Sequence, residues 1–177
     1  MIMASVTEVL QPWCDFSGIP PSVLEAAAAR GTAVHDVCAT IARGLPVFNA
    51  PPETDGYVTS FRRWFDFMVE DVLLVEERLV DPDFGFHGEP DLIIKSKAKE
   101  IILIDNKTPR TLVKSWRLQC SAYWHLATYK GIEPVRTASL RLEPEGGIAK
   151  MDYYDNSLQD FNLFLQALNL HRHFNRK

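Results

Sequence analysis

Apolar residues recur along the chain with two different periods, and each change of period marks an element boundary. Residues 1–20 hold Pro12, Gly18 and Pro20 and read as an irregular lead-in, with one short helical turn near Val6–Leu10. From Pro21 to Arg43 the pattern is helical. Pro21 and Ser22 suit a helix start, Ala26–Ala29 is a strong helix-forming run, and Val34, Val37, Cys38 and Ile41 repeat at helical spacing. Gly31 interrupts that propensity, which permits either close approach of another segment or a change between two helices. Residues 44–56, with three prolines and two glycines, form a loop. Tyr57–Val72 is the next helix, with Phe61, Trp64, Phe65, Met68 and Val72 on one stripe.

The period then shortens. Leu73–Val80, rich in valine and leucine, reads as a strand, and Asp81–Gly85 as a turn. Phe86–Lys95 and Glu100–Lys107 read as two strands of a hairpin joined by the polar piece Ser96–Lys99. The unbroken apolar run Ile101–Ile104 suits a central strand covered on both faces. Leu112–Tyr129 is helical, Ser139–Glu143 and Ile148–Tyr153 are strands about the turn Pro144–Gly147, and Ser157–Phe174 is a closing helix. This order predicts one α/β domain with a mixed β-sheet flanked by helices.

Composition changes the picture little. The 177 residues are 46% apolar and 24% charged, which suits a single globular domain. No apolar stretch is long enough for a bilayer and the N-terminus lacks a secretory pattern, so no membrane partner and a cytoplasmic location are expected. Cys14, Cys38 and Cys120 form no CxxC pair and read as free thiols. The net charge of −4 argues against coating nucleic acid through bulk charge. Basic residues nevertheless cluster: Lys95, Lys97, Lys99, Lys107, Arg110, Lys114 and Arg117 fall close together in sequence. Nothing in the chain specifies an oligomeric state.

The chemistry concentrates in GFHGEPDLIIKSKAKEIILIDNKT, residues 85–108. Alternation on a strand turns Asp105 and Lys107 to one face and Asn106 to the other. With the hairpin turn centred near Ala98, Asp91 lies across from Asp105. Two adjacent carboxylates repel unless a cation sits between them, and oxygen-rich sites suit Mg2+ or Mn2+. The alternative is that Asp91 opens a strand and Lys107 is a solvated strand end.

This stretch resembles the PD-(D/E)xK nuclease superfamily, and within it the RecB-like, phage-type exonucleases. Pro90–Asp91 matches the PD, Asp105–Asn106–Lys107 matches the (D/E)xK, Gly88 precedes the motif and Thr108 follows it. Gln119 and Tyr123 match a QxxxY motif, one helical turn apart on a shared face. RGTAVH at 30–35 matches an early helix bearing a histidine, and SVTEVL at 5–10 matches the start of the phage-type enzymes, so the likeness runs from about residue 5 to about residue 130. The second acid is aspartate where the superfamily more often has glutamate, a substitution frequent in the RecB-like group.

The resemblance implies a restriction-endonuclease-like core and a metal-dependent deoxyribonuclease, an exonuclease of DNA recombination or repair of the phage type. It implies His35, Asp91, Asp105 and the Asn106 carbonyl as ligands of Mg2+ or Mn2+, with Lys107 orienting water. It places Gln119, Tyr123 and Thr108 at the DNA strand. A glutamate of the preceding strand, Glu76 in preference to Glu77, would assist or hold a second metal. No cysteine follows Cys120, so no iron–sulfur cluster is expected. Lys114 and Arg117 are candidate phosphate contacts or solvated charges. Trp116 and Trp124 either stack on bases or belong to the core. Two other readings stay open: a non-catalytic nuclease-fold module that binds DNA or a protein, and a structural protein in which both aspartates merely end strands.

Overall fold

The computed structural model describes residues 3–14, 17–109 and 111–175. The elements in chain order are β1 (Ala4–Ser5), α1 (Val6–Leu10), α2 (Pro21–Ala42), α3 (Asp55–Met68), β2 (Val69–Val75), β3 (Leu79–Asp81) and β4 (Phe86–Gly88). They continue with β5 (Leu92–Ser96), β6 (Ile101–Lys107), α4 (Ser115–Tyr129), β7 (Arg136–Arg141), β8 (Lys150–Tyr154) and α5 (Ser157–Phe174).

The five-stranded sheet runs β2-β5-β6-β7-β8, and a smaller sheet runs β1-β4-β3. β5 and β6 form the expected antiparallel hairpin, with Leu92 opposite Ile104 and Ile94 opposite Ile102, which centres the turn on Ala98. β6 pairs in parallel with β7 through the α4 crossover, and the sheet is therefore mixed. β6 is its middle strand, and Ile102, Leu103 and Ile104 are buried completely or nearly so. Each such side chain contributes about 1.5–3 kcal/mol by leaving water.

Alternation along β5 and β6 feeds two cores. Leu92, Ile94, Ile102 and Ile104 pack with Val34 and Cys38 of α2 and Phe61 and Trp64 of α3. Ile93 and Leu103 face the other way, toward α1, Ala122 and Leu126 of α4, and Phe161 and Phe164 of α5. The chain is thus one α/β domain with mixed sheets between helical layers. Among the described residues, no helix is long and apolar enough to cross a membrane.

α2 is continuous through Gly31, where an added Cβ would meet Thr108 Oγ1 at 3.8 Å, an ordinary contact, so the glycine marks no break in the helix. The helix ends in a Schellman turn at Gly44, with Gly44 N–H donating to Ile41 O and Leu45 N–H to Thr40 O.

Several boundaries differ from the sequence pattern. α3 ends at Met68, and Val69–Val72 belong to β2, paired with β5. The β-branched valines there serve a strand as readily as a helical stripe. The run Leu73–Val80 is two strands, because Glu76 takes a left-handed φ of 44° and breaks the ladder. Phe86–Lys95 is also two strands in two sheets, parted at Glu89–Asp91, where Pro90 has no N–H for a ladder. α4 starts at Ser115, and β7 and β8 cover 136–141 and 150–154, each displaced from its apolar run.

Candidate functional site

The C-terminal end of β6 and the N-terminal approach to β5 lie at the same edge of the main sheet. Asp105 and Lys107 do share a face. Lys107 Nζ lies 2.5 Å from Asp105 Oδ2 in a close ion pair. Asp105 is 2% exposed. Burial pushes its carboxyl above the ordinary range, against the pull of Lys107, and the Asp91 charge adds to the rise. Burial works against the Lys107 ammonium too, but the charges of Asp105 and Asp91 outweigh it and hold the amine above its ordinary value.

Helix α4 extends this pair. Lys107 Nζ donates to Gln119 Oε1 at 2.9 Å, and Gln119 Nε2 donates to the Tyr123 hydroxyl at 3.1 Å. One turn of helix between Gln119 and Tyr123 makes that chain possible. Burial raises the Tyr123 phenol well above its ordinary value. Gly88 supports the tyrosine from below. A Cβ there would lie 2.5 Å from Tyr123 Cε1, so only glycine lets the ring pack as it does. Trp116 closes the other side, its ring centre 5.4 Å from Lys107 Nζ.

Asp91 sits just before β5, and its carboxylate turns toward α2. Oδ1 is 3.3 Å from His35 Nδ1, and Oδ2 accepts the Asn106 N–H at 2.7 Å. The Lys107 carbonyl accepts from Leu142 N–H beyond β7, so alternation turns the Asn106 peptide groups to the Asp91 side. Burial lowers the His35 imidazole, but Asp91 more than compensates, and the net shift is upward.

A cleft lined by His35, Glu76, Asp91 and Asn106 joins these groups to α2. Glu76 reaches it from the end of β2. Its N–H donates to the Asp91 carbonyl at 3.2 Å, and its Oε2 pairs with Arg43 at 3.3 Å. Burial pushes the Glu76 carboxyl up, Arg43 opposing. Glu77 points elsewhere and pairs with Lys130. The side chain of Asn106, only 3% exposed, has a buried Oδ1 with no hydrogen-bond partner. Neither that orphaned oxygen nor the placement of Trp116 against the lysine was anticipated from the sequence.

The donor set of two aspartates, an imidazole, the Asn106 carbonyl and Glu76 has the hard-oxygen character that suits Mg2+ or Mn2+. Asn106 Oδ1, buried beside the cleft with no hydrogen-bond partner, is the kind of atom a cation would satisfy. Lys107 and His35 pair with the carboxylates, and among the described residues no three His, Cys, Asp or Glu side chains already surround a common point.

The remaining sequence candidates are dispersed. Thr108 lies against Gly31 of α2. Lys114 is exposed at the start of α4. Arg117 is engaged with Asp160 of α5 at 2.9 Å and bridges two helices instead of facing the site. Trp124 donates its indole N–H to Pro134 O and packs against the core. Lys95 and Lys99 pair with Glu70, and Lys97 donates to Asp66 O, all near the hairpin turn. At about 3.3 Å per residue that turn is roughly 20 Å from Asp105, so the basic run does not form one patch. Arg110 lies outside the described residues. The cysteines are free, with Cys38 and Cys120 buried and their thiols raised by burial. No protein-family model matches the chain, and no curated protein matches its sequence.

Proposed function

We propose that this chain is a divalent-metal-dependent nuclease with a restriction-endonuclease-like core, hydrolysing phosphodiester bonds of DNA. One observation carries the reading: Asp91 and Asp105, at adjoining strand ends, meet the Lys107 ammonium and the His35 imidazole at one sheet edge. Strand ends that merely stop at a surface have no need of a buried carboxylate–lysine pair, which costs several kcal/mol to desolvate. The motif resemblance over residues 5–130 favours attack on DNA ends, in recombination or repair.

Asp91, Asp105, His35 and the Asn106 carbonyl would hold Mg2+ or Mn2+, and Glu76 stands beside them as an auxiliary carboxylate. Such an ion supplies Lewis-acid polarisation of a phosphate oxygen and a more acidic water. The protein's own groups do the rest. Lys107, kept protonated by the aspartates, neutralises charge building on the phosphate, an effect worth about 3 kcal/mol for one well-placed donor. Gln119 fixes the ammonium, and Tyr123, kept as a neutral phenol by burial, fixes Gln119. His35 binds as a neutral base and gives up its contact proton to do so.

The test is cleavage of linear and circular DNA, single- and double-stranded, with Mg2+, Mn2+ or chelator. Wild type is compared with Asp105→Ala and Lys107→Ala. Metal-dependent loss of linear DNA in wild type alone supports the proposal. Equal activity in all three proteins, or none in wild type with either metal, overturns it.

A further inference from the structure

A second concavity opens directly behind the Lys107–Gln119 contact. It has a volume of about 230 Å³ and is lined, among the described residues, by Thr7, Leu10, Gln11, Cys14, Ser115, Trp116 and Gln119. Two of these walls belong to the candidate site. Gln119 receives the Lys107 amine at 2.9 Å, and the Trp116 ring lies 5.4 Å from the same nitrogen. The pocket and the Asp105–Lys107 pair are therefore two sides of one partition.

The lining has a particular chemistry. Leu10 and Trp116 are buried and supply apolar walls. Thr7, Gln11, Ser115 and Gln119 supply hydroxyl and amide groups, able both to donate and to accept. No charged side chain lines it among the described residues, which disfavours phosphate as the occupant. A flat heteroaromatic ring with a polar edge matches apolar walls and neutral edge groups, as in pockets that take an unstacked base.

We infer that this pocket receives the nucleobase of an unpaired nucleotide next to the bond being cut, so that the protein engages frayed or single-stranded ends by a base as well as by phosphate. The inference rests on the nuclease reading and adds to it a substrate class: strand ends that carry an accessible base. Gln119 and Trp116 stand between a base held there and the Lys107 ammonium.

Cys14 provides the readout. It lines the pocket, with Sγ 3.5 Å from Ser115 Oγ, and is only partly buried, whereas Cys38 and Cys120 are shielded. The experiment follows alkylation of Cys14 by N-ethylmaleimide in the intact chain, with chelator present to prevent cleavage. It is repeated with a short oligodeoxythymidine and with an abasic oligonucleotide of equal length, and binding of each is measured by fluorescence anisotropy. The base-bearing strand is expected to slow alkylation about tenfold, near what stacking of one base contributes, and the abasic strand less than about twofold. Equal protection by both strands, or binding of the base-bearing strand with Cys14 left reactive, removes the base pocket and leaves the nuclease reading intact. Binding of neither strand counts against the nuclease reading itself. As a second measurement, Cys14→Trp fills the pocket and should weaken the base-bearing strand about tenfold with the abasic strand unchanged. Parallel weakening of both, or of neither, contradicts the inference.

Discussion

The carboxylate of Asp91 accepts the backbone N–H of Asn106 at 2.7 Å, and this one hydrogen bond ties the approach to β5 to the end of β6. It explains how a residue outside the ladder is held in place. It also turns one Asp91 oxygen toward β6 while the other meets His35.

Removing that acceptor should therefore cost stability as well as activity. Asp91→Ala leaves a buried N–H unpaired, at about 1–3 kcal/mol. The urea midpoint of the metal-free protein should fall accordingly, and cleavage should drop by at least about 100-fold. An unchanged midpoint would mean that the bond is not formed in solution.

The Asp105–Lys107 pair should behave as a unit. Asp105→Asn strands a buried ammonium and should destabilise the metal-free protein by about 3–5 kcal/mol, while adding Lys107→Met should recover most of the loss. Denaturant unfolding of the two single variants and the double variant measures this. Additive losses would show that the charges do not interact.

His35 gives a pH signature. Its imidazole is raised from the ordinary value near 6.5 because Asp91, assisted by Asp105, outweighs the opposing effect of burial. A group raised in the folded state contributes stability that is complete below its unfolded value and is lost as pH rises through the folded one. His35→Gln should thus destabilise the metal-free protein most at about pH 6 and least near about pH 9. Metal affinity should move oppositely, strengthening with pH over the same range, since the ligand is the neutral imidazole. A pH-independent difference between wild type and His35→Gln contradicts the pairing with Asp91.

Gly88 tests the support behind the site. The alanine methyl would sit 2.5 Å from Tyr123 Cε1, so the ring must shift and carry Gln119 with it. Gly88→Ala should cost about 1–3 kcal/mol by overpacking. It should also lower kcat at least about tenfold, because small misplacements of positioned groups are costly. Normal kcat in a folded variant would show that Tyr123 and Gln119 do not position the lysine.

Much of this was legible in the sequence because strand alternation and helix spacing are local rules. The turn at Ala98, the central position of β6, the shared face of Asp105 and Lys107 and the stacking of Gln119 over Tyr123 all follow from short-range periodicity. What was missed depends on tertiary pairing. Val69–Val72 fits a helical stripe until β5 claims it, and Glu89–Asp91 fits a strand until the chain passes from one sheet to another. The basic run looks continuous in sequence, but the hairpin carries Lys95, Lys97 and Lys99 to the opposite end of the sheet from Lys107, and Asp160, far off in sequence, takes Arg117. The pairing of His125 with the buried Asp81, at 2.6 Å, had no sequence signal at all, since it joins α4 to the end of β3 across 44 residues.

The central claim is that Asp91 and Asp105 together capture a divalent cation at the end of β6. Calorimetric titration of Mn2+ into wild type, Asp91→Asn and Asp105→Asn measures that directly, without reliance on turnover. The expected result is saturable binding by wild type that each single substitution weakens at least about tenfold, with matching loss of Mn2+-induced thermal stabilisation. Identical Mn2+ affinity in all three proteins, or no binding by wild type at a pH where His35 is neutral, would contradict it.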